Sequence, residues 1–95
     1  ADAVREDAGR DPAEVVATDL LPDAAAAKYL AANAGRLLRP RRARGTPTWL
    51  FGTRATVHRR PHGVVGVLGT WNYPVFLNAV PVLHALAAGN AVLWK

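Results

Sequence analysis

The sequence predicts an α/β chain in which helices come first, a β-hairpin follows, and a β-α-β unit of a parallel sheet occupies the last third. Two observations carry this prediction. Short runs of mostly branched apolar residues at positions 64–68 and 91–94 flank a longer apolar run of helical length. Upstream, prolines and acids stand at the spacing that is typical of helix starts.

The amino-terminal region, residues 1–46, is predicted to be helical. Asp11 and Pro12 provide a side-chain acceptor and a preformed backbone angle for the start of one helix. A second helix is predicted to begin at Pro22 and to end before Pro40, because proline disrupts a helix interior.

The next region, residues 47–62, is predicted to form a β-hairpin. Two β-prone segments, residues 48–51 and 55–60, are joined through Gly52 and Thr53. Turn signals of this kind are typical of an ordinary surface hairpin, and they do not exclude another role for these strands.

The last region, residues 63–95, predicts a strand, a helix and a second strand. Both apolar strands are expected to be buried on both faces, as in a parallel sheet. Between them, a polar turn at 70–73 leads to Pro74, which suits the first position of a helix. Pro81 predicts a kink within that apolar helix, and Gly89 predicts its end.

Two polar residues stand at the predicted strand ends. Asn72 and Lys95 follow the two strands, and the carboxyl ends of parallel strands are where open α/β sheets bind ligands. The plainer interpretation is a turn or helix-cap role for Asn72 and a solvated strand end for Lys95. The spaced glycines Gly63, Gly66 and Gly69 lack the spacing and position of a dinucleotide-binding fingerprint.

The turn Trp71-Asn72-Tyr73-Pro74, with the strand that ends on Lys95, resembles the start of the cofactor domain of an aldehyde dehydrogenase. In that family a Trp-Asn-x-Pro turn follows the first strand of the domain. The resemblance is strong over the last third of the chain. It implies an amino-terminal fragment of the aldehyde dehydrogenase fold, in which a Rossmann-like NAD(P)-binding domain begins.

The resemblance also implies roles for individual residues. Asn72 matches the catalytic asparagine whose amide, with two N–H donors, faces the substrate oxygen and suits an oxyanion. Lys95 matches the lysine that reaches the hydroxyls of the adenosine ribose. Gly69, Thr70 and Trp71 match positions that border the ribose and nicotinamide of the cofactor, so these five residues form the expected cofactor-binding set.

The implied reaction is the NAD- or NADP-dependent oxidation of an aldehyde to a carboxylic acid, through a thiohemiacetal, hydride transfer and hydrolysis of a thioester. The chain has no cysteine to act as the nucleophile, and its seven carboxylates all lie between Asp2 and Asp23. We therefore expect a fragment that is inactive alone. The resemblance further implies a homo-oligomer in the complete enzyme, with residues 47–62 as candidate strands of the oligomerisation sheet. A coenzyme A-acylating or reductive relative on the same fold is the alternative.

Charge is distributed unevenly along the chain. Residues 1–23 carry seven acids and two bases, a net charge of −5, whereas residues 24–95 carry ten bases and no acid, which gives the total of +5. A basic nucleic-acid-binding segment is the alternative from another class. The dense basic cluster contains Arg36, Arg39, Arg41, Arg42 and Arg44. It lacks interleaved aromatic residues, so a solvated loop after a helix is favoured.

The histidines do not predict a metal site. Pro61 keeps His58 and His62 off a shared helix face, and no cysteine or acid lies nearby. His84 lies in the apolar helix, where a hydrogen-bonded packing role or a subunit contact is expected. No apolar run has the length of a membrane span, and no export signal is recognised, so a cytoplasmic location is expected.

Overall fold

A computed structural model describes residues 2–45 and 47–95 of the chain. Within these ranges, no helix combines the length and the apolar character that crossing a membrane requires. The elements in chain order are α1 Asp2–Ala8, α2 Pro12–Val15, a π-helical turn Val16–Leu20, α3 Leu21–Leu38, β1 Arg41–Arg42, a 3₁₀ turn Thr48–Leu50, β2 Thr56–Val57, β3 Val64–Val67, α4 Phe76–Ala87 and β4 Ala91–Trp94.

The start of α2 is the predicted one. The side chain of Asp11 accepts a hydrogen bond of 2.8 Å from the backbone N–H of Ala13, and Pro12 occupies the first turn. The second predicted helix is confirmed, since α3 has Pro22 in its first turn and ends at Leu38, before Pro40. A π-helical turn joins α3 to α2 without an intervening loop. Pro22 has no N–H to donate, and its ring would crowd the carbonyl of Thr18 in a regular α-helix, so the wider turn accommodates it.

The hairpin contains one of its two predicted strands, because β2 lies within the predicted segment 55–60, whereas its partner β1 lies elsewhere. β1 and β2 pair antiparallel, with Arg41 opposite Val57, so the first strand lies before the predicted range of 47–62. Residues 48–50 form a 3₁₀ turn, in which the N–H of Leu50 donates to the carbonyl of Pro47 at 3.0 Å. The predicted strand at 48–51 is therefore wrong. The β-propensity of its aromatic residues reflects a preference for packed surfaces, and among the described residues no strand pairs with this segment.

The β-α-β unit is confirmed. β3 and β4 pair in parallel, with Val64 opposite Ala91 and Val67 opposite Trp94. α4 packs between this pair of strands and α3, which gives three layers. The helix begins at Phe76 instead of Pro74, and it continues through Pro81.

The end of α4 is tied to the start of the sheet. Gly89 adopts a φ of 86°, a left-handed conformation that glycine takes without steric cost. The side-chain oxygen of Asn90 accepts hydrogen bonds from the N–H groups of His62 and Gly63 at 2.6 and 3.1 Å, and its amide nitrogen donates to the carbonyl of Ala85 at 3.0 Å. Asn90 therefore fixes the amino ends of both parallel strands.

One face of the parallel strands is open. Val65 and Val92 lie on the face that α4 covers and are half-buried, whereas Val64 and Leu93 on the opposite face are 69% and 72% exposed. The expected burial on both faces is therefore wrong within this chain, because no element covers the second face among the described residues. The radius of gyration is 18.7 Å, against about 12 Å for a compact domain of this length.

Candidate active-site turn at the carboxyl ends of the parallel strands

The two strand ends that the sequence marks as a ligand site lie side by side. The N–H of Gly69 donates to the carbonyl of Lys95 at 2.6 Å, and the N–H of Lys95 donates to the carbonyl of Val67 at 3.0 Å. Thr70, Trp71 and Asn72 follow Gly69 in the turn between β3 and α4, and all three are exposed. The five predicted site residues thus lie at or directly after one edge of the sheet.

A buried side chain that sequence reasoning missed, Asn78, holds this turn. Its Oδ1 accepts a hydrogen bond of 2.9 Å from the N–H of Thr70, and its Nδ2 donates to the carbonyls of Thr70 and Pro74 at 3.1 and 2.7 Å. The amide therefore bonds the backbone at both ends of the segment that contains Asn72. The available sequence signal was a lone amide within an apolar helical run.

Gly69 is closely packed beneath the turn. A Cβ on this residue would lie 3.0 Å from Nδ2 and 3.1 Å from Oδ1 of Asn78, and 3.1 Å from the carbonyl oxygen of Lys95. A side chain here would require Asn78 or the end of β4 to shift by a few tenths of an ångström. The glycine thus lets the backbone of the turn approach the end of β4.

A cation from the amino-terminal region packs on the same turn. The guanidinium carbon of Arg10 lies 4.3 Å from the centroid of the Tyr73 ring, which is within cation-π distance. Arg10 also donates to Glu14 at 3.0 Å and to the buried Asp19 at 3.3 Å. The pKa of Arg10 is raised, mainly by the hydrogen bond to Glu14. Desolvation by burial opposes this shift, and the hydrogen bond to Asp19 adds to it. A permanently charged arginine therefore links α2 and the π-helical turn to Tyr73.

Asp23 lies beside this ion-pair network. Desolvation by burial, and secondly the charge of Asp19, raise the pKa of Asp23. Neither carboxylate oxygen has a hydrogen-bond partner within the described ranges. The pKa of Asp23 is higher in the folded chain than in the unfolded chain. Ionisation of Asp23 therefore lowers the free energy of unfolding as the pH rises above the unfolded-state pKa of this group. Protonation of Asp23 at acidic pH removes that penalty.

The remaining candidates lie away from the turn. Nδ1 of the exposed His84 is 2.7 Å from the carbonyl of Val80, so the expected hydrogen bond is present. Whether His84 has a packing role or contacts another subunit stays a prediction. The basic cluster spans the end of α3 and β1, and all five of its arginines are exposed. Arg36 donates to the side chain of Asn33 at 2.9 Å. In the part of the chain that the structure describes, no group of three or more metal-ligating side chains is close enough to hold an ion.

The basic cluster is predicted to bind nucleic acid only weakly. Exposed arginines on a helix end attract phosphates without reading sequence, so we expect a dissociation constant of about 10⁻⁶ M or weaker, rising steeply with salt. Fluorescence anisotropy with two unrelated duplexes over a salt series would measure this. A tight complex with one duplex alone at physiological salt would instead support a dedicated nucleic-acid-binding segment.

Comparisons with known proteins agree on one family. The model of the aldehyde dehydrogenase family matches residues 1–95. The chain is 37% identical over 98 residues to a probable coniferyl aldehyde dehydrogenase of Caulobacter vibrioides, which covers 100% of this chain and 20% of that protein. It is 36% identical over 94 residues to the 4,4'-diapolycopene aldehyde oxidase of a Methylomonas species, with 99% of this chain and 18% of that protein covered.

A solved structure shows the same arrangement of elements. The substrate-bound state of Staphylococcus aureus AldH matches 99% of this chain with a TM-score of 0.87 and 28% sequence identity. The match covers 20% of the AldH chain. This chain thus spans about a fifth of the length of the relatives that it matches.

The fold and the turn define an α/β protein with a candidate ligand site at the carboxyl ends of parallel strands. The chain belongs to the aldehyde dehydrogenase family, a family of oxidoreductases. The resemblance carried by the Trp71-Asn72-Tyr73-Pro74 turn and the predicted α/β fold are therefore confirmed.

Proposed function

We propose that this chain is the amino-terminal part of an NAD- or NADP-dependent aldehyde dehydrogenase, which oxidises an aldehyde to a carboxylic acid. The observation that carries the proposal is the turn with Asn72, which begins beside Lys95 at the carboxyl ends of β3 and β4. The two relatives whose names specify action on an aldehyde support the substrate class.

In this proposal, Asn72 binds the carbonyl oxygen of the aldehyde. Its side chain is exposed in a turn whose backbone is bonded to a buried amide. A donor that is held in place before the reaction stabilises developing negative charge without reorganisation. Asn72 thus stabilises the oxyanion, and a nucleophile from elsewhere in the complete protein attacks the carbonyl carbon.

The strand ends fit a nucleotide cofactor. Lys95 carries three N–H donors, Thr70 carries a hydroxyl, and both residues are exposed at the edge where α/β sheets bind nucleotides. We propose that Lys95 binds the ribose hydroxyls, while Gly69, Thr70 and Trp71 border the ribose and nicotinamide. NAD or NADP, when bound, accepts the two electrons that leave the aldehyde.

The proposal is tested with the complete protein that contains this chain. A panel of aldehydes is supplied with NAD or NADP, and reduced cofactor and carboxylic acid are measured. We expect aldehyde-dependent reduction of at least one cofactor and release of the free acid. A strict requirement for coenzyme A, with an acyl-coenzyme A product, would favour the acylating relative. Failure to reduce either cofactor with any aldehyde would contradict the proposal.

We further propose a cytoplasmic homo-oligomer without nucleic acid as a partner, as the family resemblance implies. The family resemblance implies that strands before the cofactor domain build the oligomerisation sheet, and the β1–β2 hairpin precedes β3 in this chain. Cell fractionation and light scattering of the complete protein would measure location and subunit number. A membrane-bound or monomeric enzyme would contradict these two points and leave the proposed reaction unaffected.

A further inference from the structure

Asn78 is a polar side chain in an otherwise apolar helix, and it is buried. Burying an amide is unfavourable unless its donors and acceptor are hydrogen-bonded. All three hydrogen bonds of the Asn78 side chain go to backbone atoms of Thr70 and Pro74. The side-chain amide of Asn78 therefore makes all of its hydrogen bonds to the turn that precedes the helix.

The two anchored residues flank Asn72 symmetrically. Thr70 lies two positions before it and Pro74 two positions after it, and both are bonded to the same amide. We propose that Asn78 is a positioning residue, which fixes the turn so that Asn72 meets the substrate oxygen. This inference rests on the proposed function.

The hydrogen bonds between residue 78 and the turn suit an asparagine side chain. One acceptor faces the N–H of Thr70, and two donors face the carbonyls of Thr70 and Pro74. Aspartate at this position would have no donor when ionised, and its charge would face two carbonyl oxygens. Protonation of the aspartate would restore one donor, so the defect should lessen as the pH falls.

A matched control lies at the other end of the same strands. Asn90 is also buried and also makes three side-chain hydrogen bonds to backbone atoms, those of His62, Gly63 and Ala85. It contacts the amino ends of β3 and β4, away from the turn. Asn78→Ala and Asn90→Ala therefore remove the same number of bonds, and only Asn78→Ala releases the turn.

The experiment compares these two variants and Asn78→Asp in the complete enzyme. We expect Asn78→Ala to lower kcat about 10-fold to 100-fold with little change in the KM for the cofactor, since small misplacements of a catalytic group have effects of this size. Asn90→Ala should keep kcat within about 3-fold of the unmodified enzyme, even if it lowers the melting temperature as much as Asn78→Ala does. For Asn78→Asp, kcat relative to the unmodified enzyme should rise as the pH is lowered.

Hydrogen exchange gives a readout that does not need activity. In Asn78→Ala, the amides of residues 71–73 should exchange faster, while in Asn90→Ala they should not. Equal effects of the two alanine variants on kcat, or unchanged exchange of residues 71–73 in Asn78→Ala, would overturn the positioning role. An unmodified enzyme that oxidises no aldehyde would contradict the proposed function instead, and exchange would still decide whether Asn78 holds the turn.

Discussion

Replacing Asn72 with alanine in the complete enzyme is expected to lower turnover about 100-fold or more, the range found when one oxyanion donor is removed. The affinity for the cofactor should stay nearly unchanged, because the amide is proposed to act on the aldehyde oxygen in the transition state. Steady-state kcat and KM, with a direct binding measurement for NAD or NADP, would separate the two effects.

A control for this variant is Asn33→Ala on α3. The side chain of Asn33 bonds Tyr29 and Arg36 on its own helix, far along the chain from the turn. Its removal should change turnover by no more than about 2-fold. If Asn72→Ala kept full activity, the oxyanion role of Asn72 would be excluded, and the turn would have to serve binding or structure alone.

The second large effect concerns residues 1–95 expressed alone, which are expected to have no aldehyde dehydrogenase activity. The chain has no cysteine, so no thiolate can attack the aldehyde. The carboxylates of Glu14 and Asp19, which lie near the turn through Arg10, are both paired with that arginine and so are not available as the base. The assay is aldehyde-dependent formation of NADH or NADPH by the purified chain. Reproducible turnover would show that another group acts as the nucleophile.

The same chain is expected to be marginally folded. The accessible surface of 7345 Å² exceeds the roughly 5300 Å² expected for a compact protein of this mass. Val15 and Leu30 are its buried apolar residues within the described ranges, while Leu68 is 85% exposed. Thermal unfolding should therefore be broad, or the chain should associate through the open sheet face. A cooperative transition from a soluble monomer would contradict this expectation.

Local chemistry explains which features were predictable from the sequence. The helix start at Asp11 and the helix end at Gly89 depend on caps and turns within a few residues. The two parallel strands follow from short apolar runs with a helix between them, and their carboxyl ends place Gly69 beside Lys95. The Trp-Asn-x-Pro turn then indicated the family.

Features that depend on contacts between distant residues were decided by the tertiary structure alone. The pairing of Arg41 with Val57 needs a loop to close, and turn propensity near Gly52 did not reveal which segments would meet. The packing of Arg10 on Tyr73 joins residues from opposite ends of the chain. The sequence by itself therefore indicated the family, and it predicted a site that includes Asn72 and Lys95. The fold determined how Asn78 holds that site, because hydrogen-bond partners become visible only when the turn and the helix are brought together.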